Sequence, residues 1–270
     1  MILSSFYLRN LPESSDFPFN LDLVKNLEEI KFSSKIAFFV GENGSGKSTI
    51  LEALAYAAQI PTAGGQSLED DPLMQSARDL GRMLSLRFVH KNTGGFFARA
   101  EDFIGFVKNI LRSIAELDAE IKEVKETWNG GNLNLALSPL ISERKAITDR
   151  YTENLDAMSH GEGFLKFFKT RITGKGLYII DEPEAALSPA RQLSLMALIL
   201  NKIKENGSQF IIATHSPIIM ALPESQILHF EENTIKEISY RETPHYQLTK
   251  SFLDNPDVFL RELIGQKSIN

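Results

Sequence analysis

The stretch Lys35-Ile36-Ala37-Phe38-Phe39-Val40-Gly41-Glu42-Asn43-Gly44-Ser45-Gly46-Lys47-Ser48-Thr49 joins a five-residue apolar run to the pattern G-x-x-x-x-G-K-[ST]. The run from Ile36 to Val40 has the length and composition of a buried strand. Behind it, Ile50, Leu51, Leu54, Ala55 and Ala58 recur at helical spacing. Strand, glycine-rich turn and helix together predict a nucleotide site. The glycines let the backbone close around phosphate oxygens, while the N–H groups of the turn and the helix N-terminus meet the negative charge. Lys47 is expected to reach the β- and γ-phosphates and the Ser48 hydroxyl to ligate magnesium. Gly41, Glu42, Asn43, Gly44, Ser45, Gly46, Lys47, Ser48 and Thr49 are the candidate binding residues.

The 270 residues, 43% hydrophobic and 24% charged, have the composition of an ordinary globular protein and suffice for a sizeable core. A net charge of −6 argues against a generally basic, nucleic-acid-coating surface, although a local basic patch is compatible with it. The absence of cysteine removes disulfides, thiolate metal sites and cysteine nucleophiles, and suits a cytoplasmic setting. No charged and apolar leader opens the chain, and no apolar run approaches the ~20 residues of a membrane span. Direct membrane insertion is not expected, so a membrane role would need a separate subunit.

Around this centre, residues 1–31 read as strands with a polar turn, an antiparallel edge sheet. Arg9 sits where such a sheet brings a cation toward the nucleotide, or at a plain strand end. Residues 61–79, rich in Gly, Ser, Gln and Asp, read as a surface loop. Residues 83–90 and 95–100 look like two strands of a hairpin turned at Lys91-Asn92-Thr93-Gly94. From Phe103 the period changes: Phe103, Val107, Ile110, Ile114, Leu117, Ile121, Val124 and Trp128 follow at 3.5-residue spacing. The pattern predicts one long helix, stopped at Asn129-Gly130-Gly131-Asn132. Ser138-Pro139 restarts a second helix with Leu140, Ile147, Tyr151, Leu155 and Met158 on its seam. Such a helical hairpin either packs on the core or projects to hold a partner, and periodicity satisfies both.

Two further strands end in polar residues. Gly176-Leu177-Tyr178-Ile179-Ile180 leads to Asp181-Glu182-Pro183. Beside a phosphate loop, Asp181 is expected to support the Ser48-bound magnesium, and Glu182 to orient or deprotonate the attacking water. Gln209-Phe210-Ile211-Ile212-Ala213 leads to Thr214-His215-Ser216-Pro217, with His215 placed to bond the γ-phosphate. Between these lies Met158-Ser159-His160-Gly161-Glu162-Gly163, whose serine and glycines open an apolar helix at another anion-binding terminus. Late strands at 227–230 and 234–240 and a helical tail at 244–264 complete the chain.

Phosphate loop, signature helix, Asp-Glu strand and histidine stand in the order found in ATPases of the ABC superfamily, which this chain resembles outside the hairpin. The SHGE, DEPEAALSP and ATHSP runs look like the soluble RecF/SMC-like branch, and in particular small bacterial ATPases of the AAA-21 kind. The resemblance implies an α/β P-loop NTPase fold of ABC-ATPase type, with a mixed central sheet, an antiparallel N-terminal β-subdomain and an inserted helical subdomain. It implies ATP and Mg2+ as ligands, Asp181 at the metal, Glu182 as base and His215 as γ-phosphate sensor. Ser159 and Gly161 would contact the γ-phosphate of a second protomer, giving an ATP-dependent head-to-tail homodimer whose interface the 185–188 loop crosses.

Some positions depart from the transporter ATPases: the signature is M-S-H-G-E rather than L-S-G-G-Q, and Ser188 stands where they carry aspartate. No glutamine obviously takes the metal-contacting loop position, for which Glu101 is the candidate. The expected division is a first nucleotide-binding half at 1–101, the helical insertion at 102–158 and a second nucleotide-binding half at 159–270. Three functional readings follow. One is an ATPase switching a protein partner, in DNA maintenance or anti-phage defence. The others are the nucleotide-binding subunit of a transporter, or an ATP-gated scaffold with incidental hydrolysis. Nucleic acid contact through Lys166, Lys169, Arg171 and Lys175 is compatible with the pattern, which solvated faces share.

Overall fold

The computed structural model describes residues 1–12, 16–63, 68, 74–92, 94–149, 160–231 and 233–264. Three mainly apolar strands form its centre: β3 (Ile36–Val40), β6 (Leu177–Asp181) and β7 (Gln209–Ala213), in which every residue is buried, the polar Asp181 and Gln209 standing at strand ends. A strand buried on both faces has no polar side to alternate with, which is why these segments read as continuous hydrophobic runs. With β5 (Gly95–Arg99), β8 (Gln226–Phe230) and β9 (Ile235–Ile238) they make a six-stranded sheet in the order β5-β6-β7-β3-β8-β9. All its pairings are parallel except β8 with β9. The crossovers include α2 (Lys47–Ala57), α6 (His160–Arg171) and α7 (Pro189–Asn206), which place their apolar faces on the sheet.

A second sheet, β2-β1-β4, is antiparallel and built from β1 (Leu3–Leu8), β2 (Ile30–Lys31) and β4 (Leu84–Phe88). The chain also forms the short α1 (Asp22–Lys25) and α3 (Gln75–Met83), the latter packed on α2, so residues 75–79 are helical where a loop was expected. The predicted hairpin between residues 83–90 and 95–100 does not form. β4 pairs with β1, whereas β5 pairs in parallel with β6. The cause lies in the side chains: Phe96, Phe97 and Ala98 are buried in succession and need cover on both faces, which the central sheet supplies and a surface hairpin would not. Gly95 permits this pairing, since a Cβ there would stand 1.8 Å from the Leu177 carbonyl oxygen.

Two buried glutamines join the small sheet to the large one. Gln209 accepts from the N–H groups of Ile2 and Leu3 (2.7 and 2.8 Å) and donates to the Leu3 carbonyl (2.9 Å). Gln226 accepts from Ser33 N–H and donates to the Lys31 carbonyl, both at 3.0 Å.

The inserted segment forms α4 (Ala100–Thr127) and α5 (Leu133–Ile147), which pack against one another. Ile110, Leu117 and Ile121 of the predicted seam are buried, as is Leu137 on α5. The second helix starts earlier than expected. Asn132 caps it by accepting from Asn134 N–H at 3.0 Å, and Pro139 lies inside it. Arg144 bridges the two helices to Asp118. Tyr151, Leu155 and Met158 lie outside the described residues. α8 (Pro217–Met220), α9 (Pro244–Asp254) and α10 (Pro256–Ile264) complete the chain. The architecture is the expected α/β P-loop type, with a mixed central sheet, an antiparallel N-terminal sheet and an inserted helical pair. Among the described residues, no helix is long and apolar enough to cross a membrane.

Replacing Gln209 by Leu would strand two N–H groups and a carbonyl in the core. We expect a loss of about 2–4 kcal/mol in urea unfolding; an unchanged midpoint would contradict the role given to Gln209.

Candidate active site

Parallel strands bring their C-terminal ends to one edge, and an open α/β sheet collects its ligands there. Three adjacent strands end at that edge in the residues singled out from sequence: β3 runs into Gly41, β6 into Asp181-Glu182 and β7 into Thr214-His215. The loops are stitched at their roots, with Glu182 N–H donating to the Ala213 carbonyl at 2.9 Å and Thr214 N–H to that of Phe39 at 3.2 Å.

The turn from β3 into α2 has the form its glycines predict. Gly46 caps α2 in a left-handed conformation (φ 89°) that a residue with a Cβ adopts only under strain. At Gly41 a Cβ would lie 2.5 Å from the Phe230 carbonyl oxygen. Lys47 is buried and curls back over the loop, donating at 2.8 Å to the carbonyl oxygens of both Gly41 and Glu42. Burial, opposed by the nearby Glu182 and Asp181, holds its ammonium below the usual lysine range. Glu42, Asn43 and Gly44 are exposed on the crest of the loop, and Ser48 and Thr49 enter α2 half-buried.

Asp181 is buried at the tip of β6 and takes a hydrogen bond from Ser48. Its Oδ1 has no hydrogen-bond partner among the described residues, nor has Ser45 Oγ. Burial pushes the Asp181 carboxyl up to about 6; Ser48 opposes this and the facing Glu182 adds to it. A buried carboxylate with an unmet oxygen, bonded to a loop serine and next to a lysine, fits a hard cation carried in with phosphates. Magnesium characteristically takes one or two protein ligands of this kind. Ser48 and Asp181 are the residues that would hold it.

Glu182 occupies the left-handed region (φ 47°, ψ 53°), uncommon for a side chain of its size, and opens a 3-10 turn, Pro183–Ala186. The side chain stays 43% exposed, with Oε1 lying 3.5 Å from His215 Nε2. That nitrogen is buried and makes no hydrogen bond among the described residues. Two residues missed from sequence hold His215. Glu184 accepts from His215 N–H at 2.5 Å and from the Thr214 hydroxyl at 2.8 Å. His245, on α9, lies 2.8 Å from His215 Nδ1. The carboxylate of Glu184 was in view within the DEPEAALSP run, but no spacing rule ties it to residue 215. His245 lies in a tail whose pattern signals only helix.

The remaining candidates are less complete. Ser159 lies outside the described residues, as do the side chains at 160–162; Gly161 falls in the first turn of α6. Glu101 is the second residue of α4, directly beyond the end of β5, where Arg99 pairs with Asp181 in the sheet register. Its side chain is outside the described set. Arg9 donates to Ser85 Oγ within the small sheet.

The family model of AAA_23, an AAA domain, matches residues 19–264. Protein ea59 of Escherichia phage lambda is 24% identical over 281 residues, covering 79% of this chain and 54% of that protein. The nisin transport ATP-binding protein NisT of Lactococcus lactis subsp. lactis is 24% identical over 229 residues, covering 81% of this chain and 35% of that protein. The chain therefore spans about half of the first relative's length and about a third of the second's. Among solved structures, an ATP-binding cassette of an ABC transporter in its ADP conformation aligns over 97% of this chain and 99% of that one, at 16% identity and a TM-score of 0.48.

The folded state holds the Asp181 proton more tightly than the unfolded chain does, so ionising it costs stability. That cost grows as pH rises from about 4 to about 6 and is complete above, at about 1.4 kcal/mol per pKa unit. Without magnesium or nucleotide, Asp181→Asn is expected to unfold at higher urea than the parent at pH 7.5, with the gap narrowing as pH falls toward 5. A variant less stable at pH 7.5 would count against this account of Asp181.

Proposed function

The chain belongs to the AAA_23 family of AAA domains, and from that premise we propose that it is a magnesium-dependent ATPase of ABC type, working at the strand-tip site. The observation that carries this reading is Asp181: a buried carboxylate with an unmet oxygen, bonded to Ser48 beside the phosphate loop. The likeness to NisT, by its name an ATP-binding protein, supports the choice of nucleotide.

Each residue has a task that its geometry suits. The backbone N–H groups of residues 41–48 and the N-terminus of α2 receive the phosphates. Lys47 exchanges its two carbonyl partners for β- and γ-phosphate oxygens. A magnesium ion between Ser48 and Asp181 would supply charge neutralisation at the β- and γ-phosphates. Glu182, left half-exposed by its left-handed backbone, orients the attacking water and takes its proton. His215 presents Nε2, which lies 3.5 Å from Glu182 Oε1, to the terminal phosphate. Water attacks the γ-phosphorus, the bond to the β-bridging oxygen breaks, and ADP and phosphate leave.

The reading extends to two chains. Ser159 and Gly161, at the start of α6, would complete the site of a second copy head to tail, with ATP sandwiched between protomers and the exposed Ala185 and Ser188 on the joint. Glu101 is assigned to the metal-contacting loop. The α4–α5 pair stands where SMC-like relatives carry their coiled coil. This favours the RecF/SMC-like branch and a switch acting on a protein partner, in DNA maintenance or anti-phage defence. The likeness to NisT supports a second reading, the nucleotide-binding subunit of a membrane transporter, which co-purification with a multi-span membrane subunit would favour.

Glu182→Gln tests the chemistry and the joint together. It is expected to bind ATP, lose turnover by about 100-fold or more, and elute as a dimer on size exclusion with Mg-ATP. A variant that remains monomeric with bound ATP would refute the sandwich, and one that turns over normally would refute the role of Glu182.

A further inference from the structure

The histidine pair His215 and His245 contains a choice of protons that the surrounding residues decide. Nδ1 of His215 and Nε2 of His245 are 2.8 Å apart, with the rings edge-on at a centroid distance of 4.9 Å. At that distance one nitrogen must carry the hydrogen and the other the lone pair. The outer nitrogens, His215 Nε2 and His245 Nδ1, are both buried and make no hydrogen bond among the described residues. The nearest carboxylate oxygen recorded for His215 Nε2 is Glu182 Oε1, at 3.5 Å.

Two neutral arrangements are available. In one, His245 Nε2–H donates to His215 Nδ1, so His215 carries its own hydrogen on Nε2, facing Glu182, and His245 Nδ1 is a bare lone pair. In the other the donor is His215. Its Nε2 lone pair then points at a carboxylate, and His245 buries an N–H that has no acceptor. The second arrangement sets like against like and orphans a buried donor, the more costly of the two faults. Burial first, and then the neighbouring His215, hold His245 below the usual histidine range, in keeping with a neutral ring.

The tail is fixed well enough to impose this choice. Thr243, buried, caps α9 by accepting from Tyr246 N–H at 3.3 Å and donates to the Tyr240 carbonyl at 2.8 Å. The Tyr240 hydroxyl donates at 2.8 Å to the carbonyl of Pro217, two residues beyond His215. The root of α9 is thus tied to the same loop that carries its ring partner.

We infer that His245 is a positioning residue: through Nε2–H it holds His215 in the tautomer with hydrogen on Nε2, aiming a donor at Glu182 and the terminal phosphate. This rests on the reading of His215 as a phosphate contact, and the experiment keeps the two apart. In the full chain labelled with 15N-histidine, long-range nitrogen–proton spectra report which ring nitrogen of His215 carries hydrogen. Mg-ATP turnover and ATP binding are measured on the same samples for His245→Ala, His245→Gln and His215→Ala.

The parent is expected to show the Nε2–H form. In His245→Ala that signature gives way to a mixture, and kcat drops on the scale of about 10- to 100-fold, as when an orienting partner of a functional histidine is removed. KM and ATP binding stay near parental values. His245→Gln, whose amide can still donate, restores both the tautomer and much of the turnover. An unchanged His215 tautomer in His245→Ala overturns the inference, as does a parent in the Nδ1–H form. Full turnover in His215→Ala overturns the phosphate-contact reading, and the spectra then still decide His245 alone. Should His245→Ala fail to fold, a His245→Gln protein with a mixed tautomer is the overturning result.

Discussion

A carboxylate buried at the end of an otherwise apolar-lined strand, with one oxygen that has no hydrogen-bond partner among the described residues, is the constraint on which the candidate site depends. Asp181 is in that position because β6 must be apolar on both faces to lie between β5 and β7, and must then end where the chain can turn. Low polarity raises the cost of its charge and Ser48 meets part of the demand; in the proposed function a cation would meet the rest. Lys47 answers the same field from the other side, held by two loop carbonyls. Neither group is comfortable alone. Under the proposed function a magnesium-bound triphosphate would satisfy both, and burial that costs stability in the free protein would become affinity and charge neutralisation when nucleotide arrives.

Around that centre, rigidity is distributed unevenly. The phosphate loop is confined by close backbone approach at Gly41 and by the left-handed cap at Gly46. The loop after β7 is held through Glu184, Thr214 and the capping hydroxyl of Ser216, which accepts from Ile218 and Ile219 N–H. Glu182, by contrast, projects from a strained backbone with much of its side chain exposed. A fixed histidine beside a half-exposed carboxylate suits the proposed reaction, in which the carboxylate would engage water and the histidine would only have to point. His215 is contacted through its ring by His245 of α9 as well as through its backbone N–H by Glu184, so the C-terminal segment reaches the loop that carries His215.

Sequence pattern reached much of this and stopped for physical reasons. That the phosphate loop, Asp181, Glu182 and His215 stand together was legible because each follows a continuous apolar run, and runs of that kind end at one edge of a parallel sheet. The partner of β5 was not legible: a short apolar strand after a turn suits a hairpin and a parallel sheet equally, and only the need to cover Phe96, Phe97 and Ala98 on both faces decides between them. The start of α5 was misplaced because Ser138-Pro139 resembles a helix opening, while the cap that operates is Asn132. Glu184 and His245 act across 30 or more residues of chain, which no local periodicity encodes.

Lys47, Ser48 and Asp181 are proposed to make one magnesium-nucleotide site that supports hydrolysis at the tips of β3 and β6. The most direct measurement is the release of phosphate from ATP by the purified chain, with magnesium or with chelator, alongside Lys47→Ala. Such a site gives multiple turnovers with magnesium, none with chelator, and none for Lys47→Ala. Phosphate release that persists with chelator, or that Lys47→Ala leaves intact, would contradict it.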